Sequence, residues 1–388
     1  MTDFPPIDLD LPKGARVVVA MSGGVDSSVT AALVQQAGYE TIGVTLRLYD
    51  DNGAPKRAGA CCGGDDARDA RAVADKLGIA HYVLDWASQF RANVIDDFVN
   101  EYAAGRTPIP CVRCNQRVKF ADLLDSARDL GAAALATGHY ARRTIESDGV
   151  ALRRGREVAR DQSYFLFATT KAQLDFLRFP LGDWPKDKVR EAAAAFGLSV
   201  AGKPDSQDIC FVPDGRYAEL VKKLRPEAAK PGEIVHVDGR ALGTHDGVIG
   251  FTVGQRRGLK IAGDEPLYVV ALDAAAQRVV VGPRAALGRD QVLMRETNWL
   301  AVPDAARDVE VKLRSAQPPT AARVRAADLL TGNAEIELAM PVEGVAPGQA
   351  CVVYDGDRVL GGGWIETTRR SAFSREVATV SRLENAQT

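Results

Sequence analysis

At 388 residues the chain is too long for one hydrophobic core and divides by length into two or three domains. Charged residues make up 26% and hydrophobic ones 46%, as in ordinary soluble proteins, and no apolar run reaches membrane-spanning length. The net charge of −2 excludes a global basic field, so contact with nucleic acid falls to local patches.

In chain order, the acidic start MTDFPPIDLDLP reads as neither a signal nor a transit peptide. Val17–Ala20 is a β-branched run suited to a buried parallel strand. Ser22-Gly23-Gly24 then makes a glycine turn, and Asp26, Ser27 and Ser28 open a helix ending near Gly38. Strand, glycine turn and serine-rich helix start together form a cradle for phosphate. No lysine follows the glycines as in a Walker loop, and the dinucleotide fingerprint is absent. The stretch SGGVDSS instead resembles the PP-loop of ATP pyrophosphatases, which split ATP between its α and β phosphates.

Thr41–Leu48 is the second expected strand, and a polar stretch from Asp50 to Gly64 carries Cys61 and Cys62. A helix over Asp66–Leu77, a strand over His81–Leu84 and a helix over Gln89–Tyr102 follow. The alternation predicts a parallel α/β sheet with ligands at the carboxyl ends of its strands. In GRTPIPCVRCNQRVKF the prolines hold the chain extended and a basic helix is expected from about Asn115. Ala133–Thr137 is a fourth strand, placing Gly138 and His139 on the same sheet edge as the phosphate loop. Val150–Arg156 is basic and hairpin-like, and Trp184–Phe196 is helical. Gly202–Gly215 is a turn-rich segment carrying Cys210, and Arg216–Leu224 follows it. From Pro231 a glycine-rich domain with strands EIVHV, GVIGF, LYVVAL and RVVVG is expected to about residue 287. From Gln291, alternating segments ending with CVVYD and VLGGGWI suggest a six-stranded barrel. The expected division is therefore 1–215, 216–287, 288–372 and a polar tail, 373–388.

Six cysteines in this length are not a disulfide scaffold, which points to a reducing cytoplasm. Cys111-Val112-Arg113-Cys114 is the only C-x-x-C, too little for a two-pair zinc site. Arg113, Arg117, Lys119 and a following helix start favour the Cys114 thiolate. Cys210 sits among turn residues, where reactive groups are commonly exposed. Cys61, Cys62 and Cys351 read as small hydrophobes or solvent-facing residues.

The series SGGVDSS, TPIPCVRCNQRVKF, ATGHYAR, DQSYFLF, DSQDICF, GQRRGL and PGQACVVYDGD resembles, in order, the motifs of the tRNA-specific 2-thiouridylase family. The resemblance covers nearly the whole chain and implies a PP-loop domain, a small β-rich domain and a β-barrel. It implies ATP and Mg²⁺, adenylation of the C2 oxygen of the wobble uridine, and replacement of that oxygen by sulfur. Cys210 matches the persulfide carrier and Cys114 the nucleophile that releases the sulfur, leaving a Cys114–Cys210 disulfide. The ATP positions are Ala20, Met21, Ser22, Gly23, Gly24, Val25, Asp26, Ser27 and Ser28, with Leu46 and Gly138; Asp26 would help hold Mg²⁺. Ile109, Pro110 and Cys111 match the target-base region. Arg160, Asp161, Gln162, His139, Arg314, Ser315 and Gln349 match tRNA contacts, although His139 reads equally as a structural histidine. The implied partners are tRNAs of the Lys, Glu and Gln type and a persulfide donor protein or cysteine desulfurase.

Some family members carry aspartate where Cys111 stands. Cys111, Cys114 and Cys210 therefore leave a [4Fe–4S] cluster with one open iron as an alternative sulfur carrier. A small-molecule PP-loop synthetase or amidotransferase would leave both cysteines without a role. A non-catalytic tRNA-binding protein would not need an intact Ser22–Ser28.

Overall fold

A computed structural model describes residue 4 and residues 7–49, 64–205, 209–212, 215–261, 265–302 and 307–371. Cys61, Cys62, most of the 50–64 stretch, residues 206–208 of the DSQDICF motif and the 373–388 tail lie outside them. The chain forms two compact units, one of residues 1–96, 110–215 and 357–359, the other of residues 97–109, 216–356 and 360–388.

The first unit is built on a parallel sheet of β1 (Arg16–Ala20), β2 (Glu40–Arg47), β3 (Ala80–Asp85), β4 (Ala134–Ala136) and β7 (Leu177–Arg178), in the order β3-β2-β1-β4-β7. The order turns back at β1, with β2 on one side and β4 on the other. The loops after β1 and β4 therefore flank a topological switch point, where α/β sheets bind ligands. Val17, Val18 and Val19 are fully buried, as a strand covered on both faces requires. Helix α1 (Val25–Gln36) follows β1 and ends at Gly38, whose φ of +84° makes the left-handed stop. Helix α2 (Gly64–Leu77) presents Ala70, Val73 and Ala74 to the same core.

Two expectations shift here. Residues 87–103 are helical but pass through a π-turn at Arg91–Ile95. The helix expected near Asn115 begins at Pro110 and runs through a π-helical stretch, Cys114–Asp122, to Asp129. Proline suits a first helical turn, having no N–H to leave without a partner there. Cys114 thus lies inside the helical run rather than ahead of it. The basic segment is the second strand of a hairpin, β5 (Ala141–Glu146) and β6 (Gly149–Arg154). Arg358 and Val359 pair with Arg153 and Leu152 of β6.

The second unit holds a four-stranded sheet, β10-β11-β8-β9, formed by β8 (Gly232–His236), β9 (Ala241–His245), β10 (Tyr268–Asp273) and β11 (Arg278–Gly282). The segment GVIGF is not the strand expected: Gly247 has φ +150° and Val248–Gly250 make a single 3₁₀ turn, while Ala241–His245 takes the strand position. Six more strands follow: β12 (Gly288–Trp299), β13 (Asp308–Lys312), β14 (Thr320–Asp328), β15 (Asn333–Glu343), β16 (Ala350–Asp355) and β17 (Arg358–Arg369). They run in the order β12-β15-β14-β13-β16-β17, and β12 pairs with β17, closing the six-stranded barrel. Val292, Val311, Ile336, Val353 and Ile365 fill it, and Cys351 is fully buried among them. Burial pushes the Cys351 thiol well above its ordinary range, as a core residue without redox work. Among the described residues no helix is long and apolar enough to cross a membrane.

Candidate active site

The phosphate loop is shaped by close approach. Gly23 has φ +71°, and a Cβ there would collide with the Asp66 carbonyl. Gly138, after β4, lies so near the start of α1 that a Cβ would sit 2.9 Å from the Asp26 carbonyl carbon and the Ser27 nitrogen. The edge predicted for Gly138 is therefore in contact with the loop. Gly24 is the N-cap of α1 and no side chain caps the helix, which leaves its first amides to an anion.

The hydroxyls have specific duties. Ser27 Oγ accepts from Ser22 N–H (3.1 Å), donates to Gly24 O (3.1 Å) and lies 3.2 Å from Ser22 Oγ. Ser28 is fully buried and donates back to Gly24 O at 2.8 Å, bracing the turn from behind. Met21 is fixed through both backbone groups: its N–H donates to Val44 O (2.8 Å) and its carbonyl accepts from Thr45 Oγ1 (2.8 Å). Leu46, at the end of β2, is buried beside them in sequence.

Asp26 stands at the centre of an ion network. Lys186 Nζ donates to both of its oxygens (2.7 and 2.9 Å), and Tyr140 OH donates to Oδ1 at 2.8 Å. The same ammonium, only 5% exposed, reaches Asp205 Oδ1 at 2.9 Å. Asp205 also pairs with Arg190 (2.8 Å) and Arg160 (2.9 Å). Burial raises the Asp205 carboxyl's affinity for a proton, but Lys186, Arg190 and Arg160 outweigh it and hold the pKa below the usual range. Burial and the neighbouring Asp26 charge keep the Tyr140 phenol protonated and so a donor. On the far side, Lys203 Nζ donates to Gly23 O (3.0 Å), Asp66 (2.6 Å) and Asp69 (2.6 Å). Three donor bonds leave Asp26 one vacant lone-pair position, and its side chain is 33% exposed. That fits Mg²⁺, which takes one or two carboxylates and fills its shell with water and phosphate oxygens.

Sequence reading missed Lys186, Asp205, Tyr140 and Lys203. It named Arg160, Asp161 and Gln162 for RNA; Asp161 and Gln162 are half-buried and hydrogen-bonded within the unit. Asp161 accepts from Gly155 N–H, Ser163 N–H and Ser163 Oγ, each at 3.0 Å. Gln162 Oε1 accepts from Tyr140 N–H at 2.9 Å, orienting the residue that holds Asp26. Arg160 is exposed. His139 Nδ1 lies 2.8 Å from Thr137 Oγ1, between the rings of Phe120 (5.9 Å) and Phe179 (6.4 Å). Desolvation, helped by Lys119, pushes its pKa down to about 3, so the imidazole is neutral at physiological pH.

Cys111 and Cys114 lie one helical turn apart; Cys111 is exposed and Cys114 buried. Cys210 is intermediate. Phe211, its neighbour, meets Phe90 edge-on at 5.7 Å, and Arg117 NH1 reaches back to Asn93 O at 3.4 Å. The 87–95 segment therefore touches both the Cys210 segment and the helix bearing Cys114. Among the described residues no group of three or more His, Cys, Asp or Glu side chains is placed to hold a metal ion. In the second unit, Ile109 is buried, Ser315 is exposed and Gln349 Nε2 donates to Thr107 O at 2.9 Å. Pro110 is buried at the start of the first unit's helix.

Fold and site define the class: a nucleotide-binding HUP domain followed by barrels. A family model described as the tRNA methyl transferase HUP domain matches residues 15–214. The corresponding PRC-barrel model matches 219–283, and an aminomethyltransferase β-barrel model matches 289–365. The chain is 63% identical over 364 residues to the tRNA-specific 2-thiouridylase MnmA of Rhodospirillum centenum, covering 91% of this chain and 92% of the relative. It is 57% identical to that of Parvibaculum lavamentivorans, covering 99% and 98%. The chain belongs to the tRNA-specific 2-thiouridylase family. Among solved structures, the U34-tRNA thiolase NcsA from Methanococcus maripaludis with its [4Fe-4S] cluster is 18% identical with a TM-score of 0.34, covering 57% of this chain and 68% of that one. A likeness that distant carries no argument about chemistry.

Proposed function

We propose that this chain makes 2-thiouridine at the wobble position of tRNA by adenylating the base and then delivering sulfur from Cys210. The activity follows from the family: the enzyme is a tRNA-uridine 2-sulfurtransferase, and tRNA is its substrate. The route is our reading. In it, Ala20–Ser28, Leu46 and Gly138 bind ATP, with the triphosphate over the uncapped start of α1. Mg²⁺ beside Asp26 would neutralise phosphate charge. The uridine leaves its stack, its C2 oxygen attacks the α-phosphorus, and pyrophosphate departs. A Cys210 persulfide, loaded by a donor protein or desulfurase, attacks C2 through its terminal sulfur. The Cys114 thiolate then attacks the inner sulfur of Cys210 and breaks the sulfur–sulfur bond. AMP leaves with the former C2 oxygen, the base keeps the new sulfur, and a Cys114–Cys210 disulfide awaits reduction by an external thiol.

The observation that carries this reading is the placement of the phosphate loop and both cysteine segments in one unit, with Phe90 linking the Cys210 segment to the wall of the Cys114 helix. The cytoplasm is the expected compartment, and the tRNAs for Lys, Glu and Gln are the expected substrates. The test is incubation with unmodified tRNA, ATP, Mg²⁺ and a persulfide source, followed by nucleoside mass analysis. Cys210→Ser is expected to abolish 2-thiouridine while pyrophosphate is still released. Undiminished thiolation by that variant would end the persulfide route.

A further inference from the structure

Many of the described cations are engaged in ion pairs. On the β5–β6 hairpin, Arg142 pairs with Asp357, Arg143 with Asp175 and Asp10, and Arg153 with Glu146 and Asp357. The loop GQRRGL in the second unit is different. Arg256, Arg257 and Lys260 are all exposed, and none has an ion pair with a described acidic residue.

The loop is nonetheless built rather than slack. Leu259, at its end, is buried in the small-domain core, and Val253, just before its start, is buried as well. Gln255 bridges the turn, its Oε1 accepting from Thr252 N–H (3.0 Å) and its Nε2 donating to the Arg257 carbonyl (2.9 Å). Gly254 N–H donates to Val269 O, and Val269 N–H to Gln255 O. Gly254, Gly258 and Lys260 all take positive φ (+91°, +80° and +53°). For lysine this is an uncommon conformation, held by the anchors on either side. Three cations are thus presented on a fixed backbone.

Arg314 explains where they belong. Its NH2 group donates to the carbonyls of Gly344 and Val253, the latter at the root of this loop. A guanidinium shared between two carbonyls is a strut first. The resemblance pointed to Arg314 as an RNA contact; its position makes it the support of the cationic loop beside it.

We infer that Arg256, Arg257 and Lys260 form a phosphate-binding clamp for the sugar–phosphate backbone of the substrate RNA, with Arg314 as its positioning residue. Guanidinium pairs match phosphate oxygens bidentately, and an overall charge of −2 leaves binding to such local clusters. The inference rests on tRNA being the substrate.

The test compares Arg256→Gln/Arg257→Gln/Lys260→Gln with the unaltered full-length enzyme, using one unmodified tRNA across a salt series. Tightness is expected to fall roughly ten- to a hundred-fold near physiological salt, and the slope of log affinity against log salt to lose about 2 to 3. The unfolding midpoint and ATP affinity should hold. Arg256→Lys/Arg257→Lys should keep the salt slope, separating lost charge from a damaged loop. Unchanged tRNA affinity and slope in the triple variant would overturn the assignment. So would a defect confined to sulfur delivery from a donor protein, which would make the loop a protein-docking surface. Absence of 2-thiouridine with the unaltered enzyme would count against the sulfur-transfer reading, while the binding series would still judge the clamp.

Discussion

The phosphate loop and the residues next to Cys210 share one unit and differ in their described contacts. The loop is tied through backbone and side chain to buried partners: Met21 by Val44 and Thr45, Gly23 by Lys203, Asp26 by Lys186 and Tyr140. The Cys210 segment enters through the same network, at Lys203 and Asp205. Around Cys210 itself the described residues 209–212 set Phe211 against the Phe90 ring and close a turn in which Val212 N–H donates to Ile209 O at 2.9 Å. An anion site gains from being rigid before its substrate arrives, since donors fixed in place need no reorganisation. In the proposed route the Cys210 sulfur would meet a donor, then a base, then a second thiol, and packing contacts yield more readily than an ion network.

The comparison breaks most sharply at Gly23. Gly23→Ala adds a Cβ that collides with the Asp66 backbone at φ +71°, and should lower kcat/KM for ATP roughly a hundred-fold, the scale of a misplaced reacting group. Gly14→Ala is the control: it has φ +74° but nothing within 4 Å of the added carbon, so it carries the conformational strain alone, about 1 kcal/mol. Equal effects in the two variants would mean that the loop tolerates displacement.

Phe211→Ala addresses the other side. Aromatic pairs contribute about 0.5–1.5 kcal/mol beyond their buried area, so single-turnover thiolation should slow roughly three- to ten-fold. Pyrophosphate release should be nearly unaltered, because the described ties of the phosphate loop run through Val44, Thr45, Lys203, Lys186 and Tyr140. A matching loss in both steps would show that the two regions are coupled and not separately held.

How much of this was legible depends on range. The strand Val17–Ala20, its glycine turn and the stop at Gly38 are local chemistry and read directly from the chain. The barrel strands read from their alternation, down to their number. GVIGF misled because its apolar residues have strand character, whereas Gly247 turns the backbone and the neighbouring ALGTH, poorer in β-formers, pairs in its place. Lys186 carried no local mark at all. It opens an ordinary amphipathic helix after Pro185, and its partner Asp26 lies 160 residues earlier. Asp161 and Gln162 show the converse: a motif locates an important place, but only the fold shows that these two side chains organise Tyr140 and its turn.

A further effect, on stability rather than on rate, concerns the acid limit of the loop's support. Asp205 has its carboxyl pKa held down in the folded protein by Lys186, Arg190 and Arg160 against the pull of burial. A depressed folded pKa adds stability that is fully present above the unfolded value of about 3.9, and that stability is lost as pH falls through the folded value. Unfolding free energy, measured by denaturant titration from pH 6 to pH 3, should therefore decline more steeply below about pH 4 in the unaltered protein than in Asp205→Asn. At neutral pH the variant should be less stable by about 1–3 kcal/mol, since Lys186 keeps Asp26 but loses its second carboxylate. Parallel curves in the two proteins would mean that Asp205 takes up its proton at the same pH folded and unfolded, and that Lys186 is held in place by Asp26 alone.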